Sequence, residues 1–332
     1  MGEAIASLNA GGVTRVVAGI GMSSNNATGW AAALAAVRGA DAVVLALGTD
    51  RSVAGEGTDR KDIGLPGVQE AFALAVLSAA AQGHAPVTLL LVHNLPVSFE
   101  ALLAPANATW APPAAIVDAW APTSHAATLA ALLFGEGGEG GWGRSVLTVY
   151  PRAYTQAVAL EDMHMTPGAG NPGRSYKYYT GAAGAPVVRF GEGLSGYSGF
   201  TLACASAGLV GGVVDIGCNV THAGGRGGDE VLMVFHRPGA DVIARVGGAH
   251  PLPLSALRDF ARVAVGAGGE AGVGFSLRAS AALAFTNAEG GQAVYEGTHY
   301  LDVWNGNTEN VTVTVQVSAA DAGVTRVPPR PF

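Results

Sequence analysis

Apolar residues in the first 150 positions fall into two patterns that alternate along the chain. Four short, almost continuously apolar runs predict β-strands, at Asp41–Leu47, Val87–Val92, Ala114–Trp120 and Val146–Tyr150. Four other segments predict helices, at Trp30–Arg38, Pro66–Ala81, Ser98–Leu103 and Ser124–Phe134. Pro66 suits a first helical turn, and Ser124 suits an N-cap. The first run is too uniformly apolar to leave one face in water. This order predicts a parallel sheet covered by helices.

The second half of the chain has a different pattern. Residues 151–199 are rich in Gly, Pro and Tyr, which indicates a long ordered connection. From Phe200 onward, short apolar runs such as EVLMVFH, HYLDVW and NVTVTVQV are separated by Gly-rich turns. Only Leu254–Phe260 has the pattern of a helix in this region. The spacing predicts a β-sandwich of about seven strands.

Composition excludes several classes of partner. The chain has 332 residues, enough for two domains, with 13% charged residues and a net charge of −7. It contains no block of Lys and Arg, so we expect no nucleic-acid partner. No apolar run reaches the roughly 18 residues of a membrane span. The eight His lack metal-ligand spacing, so we expect neither a metal nor any other cofactor.

The densest group of ionisable residues follows the first predicted strand. Residues 48–67 read GTDRSVAGEGTDRKDIGLPG, and Glu56 lies between two glycines. In parallel α/β sheets, ligand sites gather beyond the carboxyl ends of strands. The glycines allow sharp turns and a close approach to a ligand, and Asp59 and Arg60 can pair to stiffen the loop. The alternative is that Glu56 is an exposed loop carboxylate beside a surface ion pair.

Other candidate residues each allow two interpretations. Tyr176, Tyr178 and Tyr179 can stack on a sugar or can pack between domains. Cys204 and Cys218 are close enough in sequence for a hairpin-type disulfide, or they are two buried thiols. The segment GEGGEG matches the spacing of a dinucleotide loop, but it follows a helix and precedes a strand, the reverse of such a site.

Four sequons suggest passage through the secretory pathway. They lie at Asn26, Asn107, Asn219 and Asn310. The start of the chain, MGEAIASLNAGG, lacks the pattern of a signal peptide. We therefore expect an extracellular or secretory protein whose own signal is not in this sequence.

An ordered series of motifs resembles glycoside hydrolase family 3, most closely its β-xylosidase branch. In the second domain of that family, a strand ending in Gly is followed by Glu-Gly-x-Asp-Arg, then Leu-Pro-Gly and a helix, as in ALGTDRSVAGEGTDRKDIGLPGVQEAF. The resemblance continues through VTLLLVHN, TVYPRAY, EDMHMTP and GRSYKYYTG. The segment THAGGRGGDEVLMVFHRP is similar to the fibronectin type III-like domain that ends many members. The turn after VHN departs from the pattern, with Leu95 and Pro96 where the family has glycines.

This resemblance implies a domain organisation. Residues 1–28 are the partial start of an α/β domain, and residues 29–160 are the C-terminal α/β sandwich domain of the family. Residues 161–199 connect the domains, and residues 200–332 form the fibronectin type III-like (immunoglobulin-like) sandwich. The expected fold class is therefore a parallel-sheet α/β sandwich followed by an all-β sandwich.

The resemblance also implies an activity. Members are retaining exo-glycosidases that release xylose, arabinose or glucose from oligosaccharides and aryl or alkyl glycosides, and Glu56 matches their general acid/base. Their nucleophile is an Asp on a preceding (β/α)8 barrel, usually after Ser, and this chain has neither the barrel nor a Ser-Asp pair. We therefore expect a barrel in cis or in trans, and little hydrolysis by the isolated chain. The alternatives are a non-catalytic carbohydrate-binding or scaffold protein, and a truncated gene model.

Overall fold

The structure is a computed structural model that describes residues 1–103, 108–122, 125–136, 142–195, 199–225 and 227–325. The chain divides into two compact units. Unit 1 comprises Met1–Gly137, Thr148–Asp162 and Gly181–Val188. Unit 2 comprises Gly138–Leu147, Met163–Thr180 and Arg189–Phe332. The two units have different architectures.

Unit 1 is built on a three-stranded parallel sheet. Its strands, in spatial order, are β1 (Val43–Gly48), β2 (Val87–Val92) and β3 (Ala115–Trp120). These confirm the first three predicted strands. The prediction of a fourth strand at Val146–Tyr150 is wrong, because there only Val149 pairs, in an isolated antiparallel bridge with Val188.

Five helices and one 3₁₀ turn accompany this sheet in the described part of unit 1. They are α1 (Gly2–Leu8), α2 (Trp30–Arg38), α3 (Gln69–Gly83), the 3₁₀ turn Glu100–Leu102, α4 (Ala126–Leu133) and α5 (Tyr154–Ala157). The prediction of α2 is confirmed to the residue, whereas α3 begins three residues after Pro66. Ser124, the expected N-cap of α4, lies outside the described residues. Helix α1 was not predicted.

The central strand carries the core of unit 1. Leu89, Leu90 and Leu91 of β2 are at most 1% exposed, so both faces of this strand are covered. Strand β1 instead alternates, with Val44 and Ala46 exposed and Leu45 buried. The expectation that β1 is covered on both faces is therefore wrong, because the face that carries Val44 and Ala46 is exposed.

Unit 2 is built on a β-sandwich. One sheet has the order β12-β11-β6-β7 and the other β4-β5-β8. These seven strands are β4 (Phe200–Val210), β5 (Val213–His222), β6 (Gly228–Pro238), β7 (Ala256–Val265), β8 (Glu270–Arg278), β11 (Gly297–Trp304) and β12 (Asn310–Val317). The predicted sandwich of about seven strands is confirmed. Its core joins side chains of both sheets, including Ile216, Leu232, Phe275 and Leu301.

Smaller elements complete unit 2. A third sheet has the order β13-β10-β9, from β9 (Phe285–Thr286), β10 (Gln292–Val294) and β13 (Gly323–Thr325). The helices are α6 (Ser175–Tyr178), α7 (Ala240–Val246) and α8 (Ala279–Ala282). The predicted helix at Leu254–Phe260 is wrong. Strand β7 occupies most of that segment, because its backbone pairs with β6 from residue 256 onward.

A disulfide joins β4 to β5. Cys204 and Cys218 lie directly opposite each other in the antiparallel pair, with their Cα atoms 4.1 Å apart and the sulfurs bonded. The bond closes a loop with a sequence separation of 14 residues. In the chain-entropy model, a closed loop of this size stabilises the fold by restricting the unfolded chain.

Removing this disulfide is expected to lower the free energy of unfolding of unit 2 by about 3 kcal/mol. The measurement is urea unfolding of the chain with both Cys204 and Cys218 replaced by Ser, compared with the oxidised original. The original chain in reductant is the control and should unfold like the double variant. Equal stability of the oxidised chain and the double variant would contradict the assignment.

Candidate functional site

The carboxyl edge of the parallel sheet is the starting point of the candidate site. Gly48, Val92 and Trp120 lie side by side in register at this edge. A Cβ atom on Gly48 would lie 1.8 Å from the carbonyl oxygen of Val92, so only glycine fits there. The side chain of Gln69 holds Gly48 from α3, accepting from its N–H and donating to its carbonyl oxygen, both at 2.9 Å. The chain therefore leaves β1 at a fixed point.

The loop after β1 folds into two consecutive turns. Asp50 begins the first, because its carbonyl oxygen accepts from the N–H groups of Val53 and Ala54. Its carboxylate accepts from the N–H and hydroxyl of Ser52, which lowers the pKa of Asp50. The second turn is closed by reciprocal backbone hydrogen bonds between Gly55 and Thr58, at 3.2 and 3.0 Å.

Glu56 occupies the tip of this second turn. Gly57, which follows it, has φ +75°, a backbone conformation that side chains rarely adopt, so the glycine is required by the turn. The Glu56 side chain is exposed, and it forms no hydrogen bond or ion pair with any described residue. The Glu56 carboxylate, without a partner among the described residues, thus projects from a hydrogen-bonded turn in the loop that follows β1.

The expected Asp59–Arg60 ion pair is not observed. The Arg60 guanidinium donates instead to the carbonyl oxygen of Gly64, and Asp59 is exposed without a partner among the described residues. Arg60 is half-buried, and this burial lowers its pKa. The carbonyl is available to Arg60 because Asp62 turns the chain there, accepting from the N–H of Gly64 at 2.7 Å.

A cation from farther along the chain holds the end of the same loop. Arg152 donates to Asp62, and its Nη1 donates to Glu70 of α3 at 3.1 Å. The hydrogen bond from Arg152 is the largest cause of the lowered pKa of Asp62. The base of the loop is therefore attached to α3 by Arg152, a residue to which sequence analysis gave no role.

Two polar residues connect the ends of β1 and β2. The hydroxyl of Thr49 donates to Asn94 Oδ1 at 2.9 Å, and Asn94 Nδ2 donates to the carbonyl oxygen of Ala54 at 3.2 Å. Thr49 is buried, whereas Asn94 reaches solvent. Neither residue was a candidate from the sequence. The available signal was their position directly after predicted parallel strands, where polar residues meet at one edge.

A histidine at the end of β2 faces the end of β3. His93 is 3% exposed, and its Nε2 lies 2.8 Å from an Asp118 carboxylate oxygen. The Trp120 ring packs near the imidazole, with centroids 5.4 Å apart. Trp120 has φ +53°, an uncommon backbone conformation for a bulky residue. This edge therefore combines a buried imidazole, a carboxylate and an aromatic ring, none of which was a candidate from sequence.

The three candidate tyrosines lie in unit 2 and differ in how far their side chains are buried. Tyr176 stacks on Phe190 with centroids 4.1 Å apart, meets Phe235 edge-on, and its hydroxyl accepts from the N–H of Leu257 at 3.1 Å. Tyr179 is buried and Tyr178 is half-buried. Tyr176 thus packs against aromatic side chains of unit 2, with one ring face on Phe190, and is half-buried.

The sequon residues that the structure describes are surface positions. Asn26, Asn219 and Asn310 are exposed, whereas Asn107 lies outside the described residues. Most of the GEGGEG segment also lies outside them.

Within the described ranges, no three His, Cys, Asp or Glu residues cluster in a way that could hold a metal ion. None of the helices in that part of the chain is both long and apolar enough to cross a bilayer.

Comparisons with known proteins relate most of the chain to glycosidases. The model of the glycosyl hydrolase family 3 C-terminal domain matches residues 1–195. A probable exo-1,4-beta-xylosidase of Aspergillus niger is 33% identical over 176 residues, which are 53% of this chain and 20% of that protein. A probable exo-1,4-beta-xylosidase of Aspergillus clavatus is 28% identical over 334 residues, covering 94% of this chain and 40% of that protein.

Solved structures share the fold of both units. A GH3 exo-beta-xylosidase in complex with a xylobiose aziridine probe superposes with TM-score 0.77 at 24% identity, over 95% of this chain and 41% of that chain. A beta-glucosidase from Listeria innocua in complex with isofagomine gives TM-score 0.70 at 25% identity, over 92% and 40%. The chain spans about a fifth of the length of the first curated relatives. Because the family model matches more than half of its residues, the chain belongs to glycosyl hydrolase family 3.

Proposed function

We propose that this chain supplies the general acid/base of a retaining exo-glycosidase of the β-xylosidase type, and that Glu56 is that group. The observation that carries the proposal is the state of Glu56: an exposed carboxylate, without a described partner, at the tip of a turn that is itself hydrogen-bonded. A carboxyl group held in a permanent ion pair has a lowered pKa and therefore protonates a leaving group poorly. The family resemblance supports the same assignment.

The proposed role has two steps. In the first, the Glu56 carboxyl protonates the glycosidic oxygen while a second carboxylate attacks the anomeric carbon, so the leaving alcohol departs and a glycosyl–enzyme ester forms. In the second, the Glu56 carboxylate takes a proton from water, whose oxygen attacks the same carbon and releases the sugar with retention. Glu56 ends protonated, ready for the next cycle.

The second carboxylate is proposed to come from a (β/α)8 barrel, joined in cis or supplied in trans. In retaining enzymes the two carboxyl groups lie about 5–5.5 Å apart. The Glu56 side chain is exposed to solvent at its turn, so it can approach a carboxylate on the proposed barrel. The chain by itself is then expected to hydrolyse glycosides very slowly or not at all.

The proposed substrates are xylosides, arabinosides or glucosides, as oligosaccharides or aryl and alkyl glycosides. The names of the relatives, which are xylosidases and glucosidases, support this class. We also propose that the protein acts outside the cell or in the secretory pathway. The Cys204–Cys218 disulfide and the exposed sequon residues Asn26, Asn219 and Asn310 support an oxidising, glycosylating compartment.

Replacing Glu56 by Gln, in the chain fused behind a barrel that carries the nucleophile, is expected to lower kcat/KM on an alkyl β-xyloside by about 10²–10⁴-fold. Gln keeps the size of the side chain but cannot transfer a proton. An aryl β-xyloside with a strongly activated leaving group should lose much less in the first step, because its departure needs no protonation. Steady-state kinetics on the two substrates measures the difference.

Two further measurements make the assignment specific. Glu3→Gln, at an exposed position on α1, is the matched control and should leave both substrates unaffected. Adding azide to Glu56→Gly should restore turnover of the activated substrate and yield a glycosyl azide, because azide attacks without a base. Equal losses on both substrates, or no loss, would reject the acid/base role. Sugar binding without turnover in every fusion would favour the non-catalytic carbohydrate-binding alternative.

A further inference from the structure

We propose that Asn94, with Thr49, is a positioning residue for the loop that carries Glu56. This inference rests on the proposed function of Glu56. The pair is called the Thr49–Asn94 clamp below. It links the first residue after β1 to the second residue after β2 and, through Asn94, holds the loop at Ala54, two residues before Glu56.

The buried half of the clamp fixes the position of the Asn94 amide. Thr49 is 5% exposed, and its own N–H donates to the carbonyl oxygen of Val92 at 3.0 Å, so its hydroxyl is held against β2. That hydroxyl donates to Asn94 Oδ1 at 2.9 Å and accepts from the Asn94 N–H at 3.4 Å. The orientation of the amide follows from these contacts, with Oδ1 toward Thr49 and Nδ2 toward the loop.

The solvent-facing half of the clamp is the loop's tie to the sheet. Among the described residues, every other hydrogen bond made by residues 50–58 stays within that segment. The bond from Asn94 Nδ2 to the Ala54 carbonyl oxygen, at 3.2 Å, is the exception. The two turns define the local shape of the loop. The clamp defines where that shape lies relative to the strands.

The hydrogen bond from Asn94 to Ala54 lies close enough to Glu56 to affect catalysis. Ala54 is the last residue before the Gly55–Thr58 turn, so fixing its carbonyl confines the movement of Glu56 to that turn. A general acid must reach a glycosidic oxygen at hydrogen-bond distance, and small misplacements of reacting groups reduce rates strongly. An unclamped loop would therefore spend less time with Glu56 correctly placed.

The Asn94 amide meets two different requirements at this position. Its side chain must accept from a hydroxyl on one side and donate to a carbonyl on the other. Aspartate has the same shape and keeps the bond with Thr49, but it places a second acceptor against the Ala54 carbonyl oxygen. Asn94→Asp therefore breaks only the tie to the loop, which makes it the sharpest variant for a test.

The first arm of the test is amide hydrogen exchange on the full 332-residue chain. In Asn94→Asp, exchange at Ala54, Gly55 and Thr58 is expected to become about five- to tenfold faster, the loss of one exposed hydrogen bond. Exchange at Leu89 and Leu90 in β2 should not change. The same substitution at an exposed position of unit 1, Asn26→Asp, is the matched control and should leave the loop unchanged.

The second arm is kinetics in the barrel fusion. Asn94→Asp is expected to lower kcat/KM on an alkyl β-xyloside about five- to tenfold, through kcat and with KM unchanged. The kcat/KM of an activated aryl β-xyloside should change little, because the departure of its leaving group needs no protonation. Thr49→Val should behave in the same way, whereas Thr49→Ser keeps the hydroxyl and should remain near the original. A general structural defect would lower the rates on both substrates alike.

The outcomes separate the clamp from the proposed function. If Glu56→Gln shows its loss on the alkyl substrate while Asn94→Asp changes neither loop exchange nor the leaving-group dependence, the clamp is overturned and the function stands. If Glu56→Gln has no effect, the function falls, and the positioning role falls with it even where exchange is faster. Faster exchange together with a selective loss on the alkyl substrate supports both.

Discussion

Replacing Arg144 by Met is expected to lower the free energy of unfolding of unit 2 by about 3–5 kcal/mol. Arg144 and Glu230 form an ion pair whose side chains are 6% and 2% exposed. The guanidinium also donates to the carbonyl oxygen of Asn305 at 2.7 Å and to the hydroxyl of Ser195 at 2.8 Å. One side chain thus satisfies three acceptors on different segments of unit 2.

The size of this effect comes from what the substitution leaves behind. Burial raises the pKa of the Glu230 carboxyl, and the nearby guanidinium of Arg144 opposes that rise. Without Arg144, Glu230 must either stay charged away from water or take up a proton. A buried charge without its partner is much more costly than a missing pair. Arg144→Met together with Glu230→Leu is therefore expected to recover part of the loss.

Urea unfolding, monitored through amide exchange at Leu232 and Val234 of β6, measures the free energy of unfolding of unit 2 directly. Arg245→Met is the matched control, because the Arg245–Glu296 pair is 50% and 41% exposed and should contribute less than about 1 kcal/mol. If Arg144→Met costs no more than Arg245→Met, the buried pair does not have the role assigned to it here.

Unit 2 is also expected to lose stability in mild acid, by about 2–3 kcal/mol between pH 6.5 and 4.5 from His236 alone. His236 is fully buried, and burial together with the charge of Arg258 lowers its pKa from 6.5 to about 2. The unfolded chain takes up a proton below pH 6.5 while folded His236 does not. Stability is therefore complete above pH 6.5 and falls as the pH drops toward 2.

A chain of hydrogen bonds explains why His236 stays neutral. Arg258 donates to His236 Nδ1 at 3.1 Å, and His236 Nε2 lies 2.9 Å from His299 Nδ1. His299 Nε2 lies 2.8 Å from the carbonyl oxygen of Tyr295, which can only accept. The direction of every bond is thereby fixed, with each histidine donating through Nε2 and accepting through Nδ1. A proton on either Nδ1 would break the chain.

The charged groups around this pair do not reverse the effect. Arg237 also disfavours the charged form of His236, whereas Asp241 favours charge on His299. For His299, burial is the largest cause, and its pKa is lowered as well. Both histidines therefore shift stability in the same direction.

His236→Gln tests this origin of the acid sensitivity. Gln can donate to His299 and accept from Arg258, but it does not titrate. Unfolding of the variant should therefore take up about one proton fewer, so the unfolding free energy should fall less between pH 6.5 and 4.5. His84→Gln, at an exposed histidine, should leave the slope unchanged. An unchanged slope in His236→Gln would assign the acid sensitivity to other groups.

The elements that were predictable from sequence are those whose pattern follows from burial alone. Strand β2 lies where its apolar run predicted it, because a covered parallel strand needs apolar residues on both faces. Strand β3 also lies where it was predicted, although most of its residues are exposed. Leu254, Leu257 and Phe260 have a helix-like spacing, but their segment pairs with β6 as an edge strand. Pairing with a distant strand decides such a case, and that information is not local.

The candidate site was predictable only in part, for a related reason. Glu56 lies in a motif long enough to be distinctive. Thr49, His93 and Asn94 are single polar residues after strands, and their contacts depend on which strands are neighbours. The expected Asp59–Arg60 pair failed because a backbone carbonyl, at Gly64, lay within reach of the same guanidinium. Neighbouring opposite charges do not pair when a better-placed acceptor competes.

The close fit at Gly48 has a consequence for engineering. Since no side chain can be accommodated beside Val92, the departure of the chain from β1 is geometrically invariant, and Thr49 continues it in a buried, hydrogen-bonded position. Residues 50–58 form most of their hydrogen bonds with one another, so they make up a self-contained loop that starts from a fixed point at the end of β1. We therefore expect segments of other sequences, placed between Thr49 and Asp59, to leave the packing of the sheet unchanged, which makes this stretch the first place to diversify the protein.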